Sequence, residues 1–319
     1  MGICQYCGQK AGWFSDVHKV CVSFAQQGCE KASLLIAATL EKPVPSDHSD
    51  NEQWYSLFGQ QLWAEVKPQI DQLATEHRIP ADQLRGALRV GWSKGAEQVA
   101  TAEPMNPKRL SVLDHFYRVM GFTDREMAPT DGFIAEVFSS LLWSVMVQGD
   151  PTSVANVTRH PFNLKSGEVP LFFFGSVVYS RETLNRGNQG GYGGMSVRVA
   201  RGVYYHCGGF KSQRTETAAL KEIDYGRMLL TTQNMYFGGE HTNFRVAYSH
   251  IVAFRPEPSG ISFFRDTANA KAEVFTVLEA NPSGGNPVNA RPVFGWFLFN
   301  MAHALAQPEA KPSTSKREA

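Results

Sequence analysis

Four side chains near the start of the chain have the types and spacing of a metal-ligand set. Cys4 and Cys7 stand two residues apart, and Gly8 follows them. Two thiolates at that interval can chelate one ion, and a glycine frees the backbone to turn beneath it. His18 and Cys21 repeat the gap. If His18 opens a helix running towards Leu40, residues three apart share one face and supply two more ligands. Cys4, Cys7, His18 and Cys21 would then hold a tetrahedral ion, with structural Zn2+ expected. Four protein ligands leave no open position for a substrate, which argues against a catalytic metal. Cys29 competes with His18 for a place in the set, two turns further along. Alternatively, these are reduced thiols that are merely buried or idle. Four of the five cysteines precede residue 30. That clustering suits a metal site in a reducing compartment better than a disulfide scaffold.

The remaining reactive types form weaker sets. Asp124, Glu126 and Asp131 have the short spacing of some divalent-metal sites, but capping of helix starts explains them without a metal. Asp114 and His115 are adjacent, and neighbours on a helix do not face each other. Cys207 beside His206 lacks a second cysteine, and strand neighbours point to opposite faces. The loop from Arg186 to Gly194, RGNQGGYGG, could cradle a phosphate through backbone amides. It has neither the ending of a P-loop nor the spacing of a dinucleotide fingerprint. Lys10, Lys19 and Lys31 with Tyr6, Trp13 and Phe14 offer basic and aromatic groups, yet fall short of a basic stripe for nucleic acid. Trp13 and Phe14 read better as a small core. The ligand set as a whole resembles a small treble-clef zinc finger, which joins a knuckle to the first turn of a helix.

At 319 residues the chain has room for two or three domains. A hydrophobic fraction of 43% and a mean hydropathy of -0.27 are those of a globular protein. No apolar run approaches the roughly 20 residues that span a bilayer. The start has no secretory pattern, and Tyr6 stands where a myristoylation signal wants Ser or Thr. Charge is uneven. Residues 1–158 carry 13 Lys and Arg against 18 Asp and Glu, whereas residues 159–307 carry 15 against 10. The basic half could approach an anionic lipid surface or an acidic partner, or simply be a solvated surface.

Elements that would position these residues are legible in the periodicity. A linker rich in Pro, Ser and Asp follows residue 42. Trp54, Tyr55, Phe58, Leu62, Trp63 and Val66 recur at helical spacing, and Pro68 is expected to kink or end that helix. Ala81–Ala102 is expected to be helical, although Gly91 and Gly95 weaken it by about 1 kcal/mol each. Asn106-Pro107 signals a helix start and Gly121 its stop. Thr123 to Glu126 is a capping-box sequence, and Thr130 can cap a helix through Met146. This block is similar, on helix pattern alone, to TerB-like helical modules of bacterial stress proteins.

Beyond Arg159 the chain turns to strands. Leu171–Tyr179 reads as a continuous apolar strand with a bulge at Gly175. Met195–Tyr205 reads as a strand pair broken at Gly202. Arg227–Phe237 suits a pleated surface, and Gly238-Gly239 signals a turn. Phe244–Tyr248, Ile251–Phe254, the run from Ile261 and Glu273–Leu278 complete the strands. Asp224, Gly226, Leu229, Thr232, Phe237, Gly238, Tyr248, Ser249, Ile251, Gly260 and Ile261 together resemble the pattern of the bacterial PH-like (GRAM-like) domain family. The resemblance implies a bent antiparallel barrel closed by a C-terminal helix, and Arg291–Ala306 has the apolar spacing for that helix. It also implies ligand binding near the early strands and loops, which singles out Lys165, Arg186, Arg198, Arg201, Lys211 and Arg214.

The expected class is therefore α+β multidomain. A zinc finger and helix would occupy 1–42, an all-α helical block 48–150, a PH-like antiparallel barrel with its capping helix 159–307, and a disordered tail 308–319. The expected function is a non-catalytic zinc-binding adaptor or regulatory protein in the cytoplasm. Its barrel would bind a protein partner or an anionic surface at the inner membrane. Alternatives are a nucleic-acid-binding protein using finger and barrel, and an unrecognised enzyme.

Overall fold

Helices fill the first half of the chain and strands the second. The computed structural model describes residues 2–12, 15–44, 52–102, 105, 107–149, 151–154, 157, 159–187, 196–200, 203–206, 215–267, 271–280 and 288–306. The helices are α1 (Lys19–Leu40), α2 (Glu52–Glu76), α3 (Ala81–Ala102), α4 (Pro107–Val119), the short α5 (Asp124–Met127) and α6 (Asp131–Met146). Asn106 lies outside the described residues. The capping box is formed: Glu126 accepts from the Thr123 backbone N–H at 2.9 Å. Thr130 Oγ1 accepts from the Phe133 N–H at the start of α6.

Two features of the helices depart from expectation. α2 continues past Pro68 instead of ending there. Val66 and Ile70 are buried on its core face, while Pro68 and Ala64 are exposed. Water can therefore reach the Ala64 carbonyl that the proline leaves without an N–H partner. Gly91 and Gly95, read as weak points of α3, are contact points instead. A Cβ on Gly91 would lie 2.5 Å from the Ser33 carbonyl oxygen of α1, and one on Gly95 2.9 Å from the Ala37 Cα. The helices approach so closely that glycine's propensity cost is offset by packing.

The strands are β1 (Pro170–Gly187), β2 (Ser196–Ala200), β3 (Val203–His206), β4 (Thr215–Thr231), β5 (Asn234–Gly239), β6 (Asn243–Ala247), β7 (Ile251–Glu257), β8 (Gly260–Arg265), β9 (Glu273–Ala280) and β10 (Val288–Asn289). The main sheet has the order β6-β5-β4-β1-β9-β8-β7, with β10 paired to β9, and every described pairing is antiparallel. β2 and β3 pair separately. β1 slips register on β4 between Phe174 and Val177, so the bulge at Gly175 is present. Pro256 sits in β7, an edge strand where its missing N–H costs little.

Arg227–Phe237 is two strands rather than one. Thr231 Oγ1 accepts the N–H groups of Gln233 and Asn234, at 3.2 and 2.9 Å, and closes a turn there. Gly238 and Gly239 stay in β5, opposite Arg227 and Gly226. The next turn is held by the Asp224 carboxylate, which accepts from the backbone N–H of His241 at 2.8 Å and Thr242 at 2.7 Å. At both turns a side-chain oxygen accepts the free N–H groups, and the turn expected at Gly238-Gly239 falls just beyond them.

The sheet curls on itself. Phe237 of β5 and Phe275 of β9 are not on neighbouring strands, yet their rings lie 5.6 Å apart. Arg265 of β8 lies over the Phe244 ring of β6 at 4.7 Å, spanning the seam between the two edges. Its guanidinium also pairs at 2.7 Å with buried Glu273, which accepts from the Tyr179 hydroxyl at 2.6 Å. Helix α7 (Val293–Ala306) packs on β7, β8 and α6. Phe138 of α6 meets Phe172 of β1 and Phe294 and Phe297 of α7, so one apolar cluster runs from helices to sheet. An Arg291–Asp131 ion pair crosses the same junction. Among the described residues no helix is long and apolar enough to cross a membrane.

Glu168 ties the entry turn to the β4–β5 hairpin. Its carboxylate accepts from the hydroxyls of Thr231 and Tyr236, the Asn234 amide and the Lys165 backbone N–H. Burial alone would raise its pKa, but these donors outweigh burial and hold it below the usual carboxylate range. Glu126 is brought to about 2 by Arg85 and the Thr123 donors. Groups depressed in the fold contribute stability above their unfolded pKa, near ~4.3 for Glu, and lose it as pH falls through the folded value. Urea midpoints should therefore fall steadily below about pH 4.3. Glu168→Gln should cost about 1–3 kcal/mol at pH 7, because the donors on one carboxylate oxygen then face an NH2 group instead of an acceptor, and should flatten the acid limb. A variant as stable as the parent across this range would remove Glu168 from that role.

Candidate metal centre

The knuckle forms because the backbone closes on itself around the cysteines. Ile3 bridges Lys10, the Cys4 N–H donates to the Gln9 carbonyl at 2.8 Å, and the Gly8 N–H donates to the Cys4 carbonyl at 2.8 Å. Gly8 takes a φ of 69°, which a Cβ would disfavour. His18 is the N-cap of α1, and Cys21 follows in the first turn. The two ligand pairs thus come from a turn and a helix start, as their spacing implied.

One ligand atom from each of Cys4, Cys7, His18 and Cys21 lies within 4.8 Å of the others. His18 Nδ1 is 3.4 Å from the Cys7 sulfur and 3.7 Å from that of Cys21. A tetrahedral zinc with Zn–S near ~2.3 Å separates its ligands by about 3.8 Å, so the spacing fits a single ion. His18 Nε2 lies 3.1 Å from the Lys10 carbonyl oxygen. A carbonyl can only accept, so Nε2 carries the proton and Nδ1 turns its lone pair towards the sulfurs. Cys29 is not in the cluster.

Electrostatics favour a cation here. Burial raises the Cys4 thiol, but backbone donors at His18, Cys7 and Tyr6 overcome it and bring the group to about 6. Burial, and then the neighbouring sulfurs of Cys7 and Cys4, push Cys21 up to about 11. Three sulfurs this close resist ionising together, and a bound cation removes that repulsion. The donor set, its tautomer and its spacing fit a closed four-ligand ion.

Other candidates resolve into structural contacts. Asp124 accepts from the Tyr117 hydroxyl at 2.8 Å and pairs with Arg118, Glu126 pairs with Arg85, and Asp131 pairs with Arg291. His115 Nδ1 bonds the Ser111 carbonyl, one helical turn back on α4. Lys165 is an exposed residue of the entry turn. Arg186 and Arg198 are placed on the backbones of β1 and β2. Arg201, Lys211 and Arg214 lie outside the described residues, as do Cys207, Trp13 and Phe14.

Two supporting groups escaped the sequence. The Lys10 carbonyl is backbone and leaves no mark in residue type. Gln83 of α3 donates to the Tyr6 hydroxyl at 2.7 Å across 77 positions, too far apart for any local pattern. Comparison with protein-family models, with curated proteins and with solved structures finds no match in any of the three.

Proposed function

We propose that this chain is a non-catalytic zinc-stabilised adaptor whose PH-like barrel docks on an anionic membrane surface through a basic arm. The metal reading rests on the four converging ligands, which fill a tetrahedral shell. The PH-like reading is supported by an antiparallel order whose two edge strands, β6 and β7, are joined through Tyr248–His250, and by a terminal helix packed against the sheet.

One observation carries the docking. β1 and β4 pair from Pro170↔Thr231 out to Gly187↔Thr215, whereas β9 accompanies β1 only to Arg181 and β5 accompanies β4 only from Gly226. Beyond those points the two strands run on as a ribbon. Residues 181–221, the ribbon and the segment it carries, hold seven Lys and Arg against two Glu. That excess accounts for the whole positive balance of residues 159–307, 15 against 10. Charge clustered in one stretch of sequence can act on an anionic surface more strongly than the same charge scattered.

The test is co-sedimentation with vesicles of neutral lipid or of neutral lipid containing phosphatidylserine. The protein should pellet only with the anionic vesicles. Reversing Arg198, Arg201 and Lys211 to Glu should weaken binding by roughly 100-fold or more, since each cation near the surface contributes about 1 kcal/mol. Equal retention of both proteins removes the reading. Retention of RNA with steep salt dependence would favour the nucleic-acid alternative.

A further inference from the structure

We infer that the Cys4–Cys7–His18–Cys21 centre is an oxidant-sensitive latch that holds residues 2–23 in order. The inference rests on the metal reading above. Between residues 2 and 18, the described buried side chains are those of Cys4 and Ala11, so the described residues of this head bury little apolar surface. The first turns of α1 are no better anchored. Val20 is 80% exposed, and the first buried residue of the helix is Ala25. One side-chain bond, Gln83 to Tyr6, ties the knuckle to α3. An ion would thus supply most of what orders residues 2–23.

The boundary is set by a second contact. Buried His77 donates from Nδ1 to the Phe24 carbonyl at 2.8 Å, and its ring stacks on Phe24 at 4.3 Å. Lys31 bonds the other ring nitrogen. From Phe24 onwards α1 is pinned without help from the head.

The ligands differ in access. Cys4 is buried, whereas Cys7 and Cys21 are half-buried. Their sulfurs flank the same His18 nitrogen. Hydrogen peroxide supplies the two-electron oxidant. One half-buried thiolate attacks a peroxide oxygen, the O–O bond breaks, and a sulfenic acid and hydroxide form. The second thiolate attacks the sulfenic sulfur, the S–S bond forms, and a second hydroxide leaves. Two electrons pass from sulfur to oxygen, two protons convert the hydroxides to water, and the ion departs with its charge unchanged. Cys4 and His18 alone cannot hold it.

The full-length protein is titrated with hydrogen peroxide while zinc release is read with a colorimetric chelator. Disulfides are mapped without reduction, and hydrogen exchange is measured along α1. The expected result is loss of one ion per chain, a Cys7–Cys21 link, and exchange about tenfold faster or more across 2–23. Residues 25–40 should be unchanged, and thiol reductant with Zn2+ should restore order. Cys29→Ser should respond identically. Zinc retained at excess peroxide, a Cys4–Cys7 link, or faster exchange over all of α1 would each overturn the latch. Absence of any ion in the purified protein would instead overturn the metal reading.

Discussion

Gly295→Ala is expected to destabilise the protein by about 3 kcal/mol, the upper range for forcing a methyl group into a packed site. A Cβ at Gly295 would stand 1.7 Å from the Glu257 carbonyl oxygen and 3.0 Å from that of Gly260. Both oxygens are backbone at the β7–β8 hairpin, which cannot rotate away as a side chain could. The first turn of α7 must therefore lift off, and the buried Val293, Phe294, Phe297 and Leu298 lose contact on either side of the helix. At ~2.1 cal/mol/K of unfolding entropy per residue, a cooperative chain of 319 residues should lose roughly 4–5 °C in melting temperature. Gly86→Ala in α3 is the control. Its Cβ meets nothing within 4 Å, so the same substitution should stabilise by about 0.5–1 kcal/mol through helix propensity. Thermal unfolding of the two variants checks both signs. Equal, small shifts would mean that α7 does not rest on the hairpin.

Phe138→Ala should cost about 3–5 kcal/mol, as expected for truncating a fully buried aromatic ring. The Phe138 ring lies 4.4 Å from that of Phe297, 5.4 Å from Phe294 and 5.5 Å from Phe172. No other described ring joins a helix of the first half to both α7 and β1 in this way. Combining Phe138→Ala with Phe297→Ala should cost less than the sum of the two, because the second deletion enlarges a cavity already made. Denaturant unfolding followed by tryptophan fluorescence and by far-ultraviolet circular dichroism measures these differences. The tryptophans at 54, 63, 92 and 143 report on the helices and Trp296 on α7. Coincident transitions are expected, since one cluster links both halves. Additive losses, or a fluorescence change confined to the helices, would show that the ring does not couple them.

The amino-acid sequence by itself determined what depends on near neighbours. The knuckle and helix start bring Cys4, Cys7, His18 and Cys21 together because intervals of two residues dictate geometry in a turn and on a helix face. The Thr123–Glu126 cap, the Gly175 bulge and the apolar spacing of α7 were legible for the same reason. Tertiary structure decided the rest. Gly91, Gly95 and Gly295 are glycines because another element's backbone passes against them, and periodicity names an apolar face without naming its partner. Pro68 is tolerated because its face of α2 meets water, and the chain turns from β4 into β5 at Thr231 because its hydroxyl finds two free N–H groups. The curl that brings Arg265 over Phe244, and the junction at Phe138 and Arg291, join residues from 21 to 160 positions apart. Contacts at such separations form only once the chain has collapsed, so no local spacing records them.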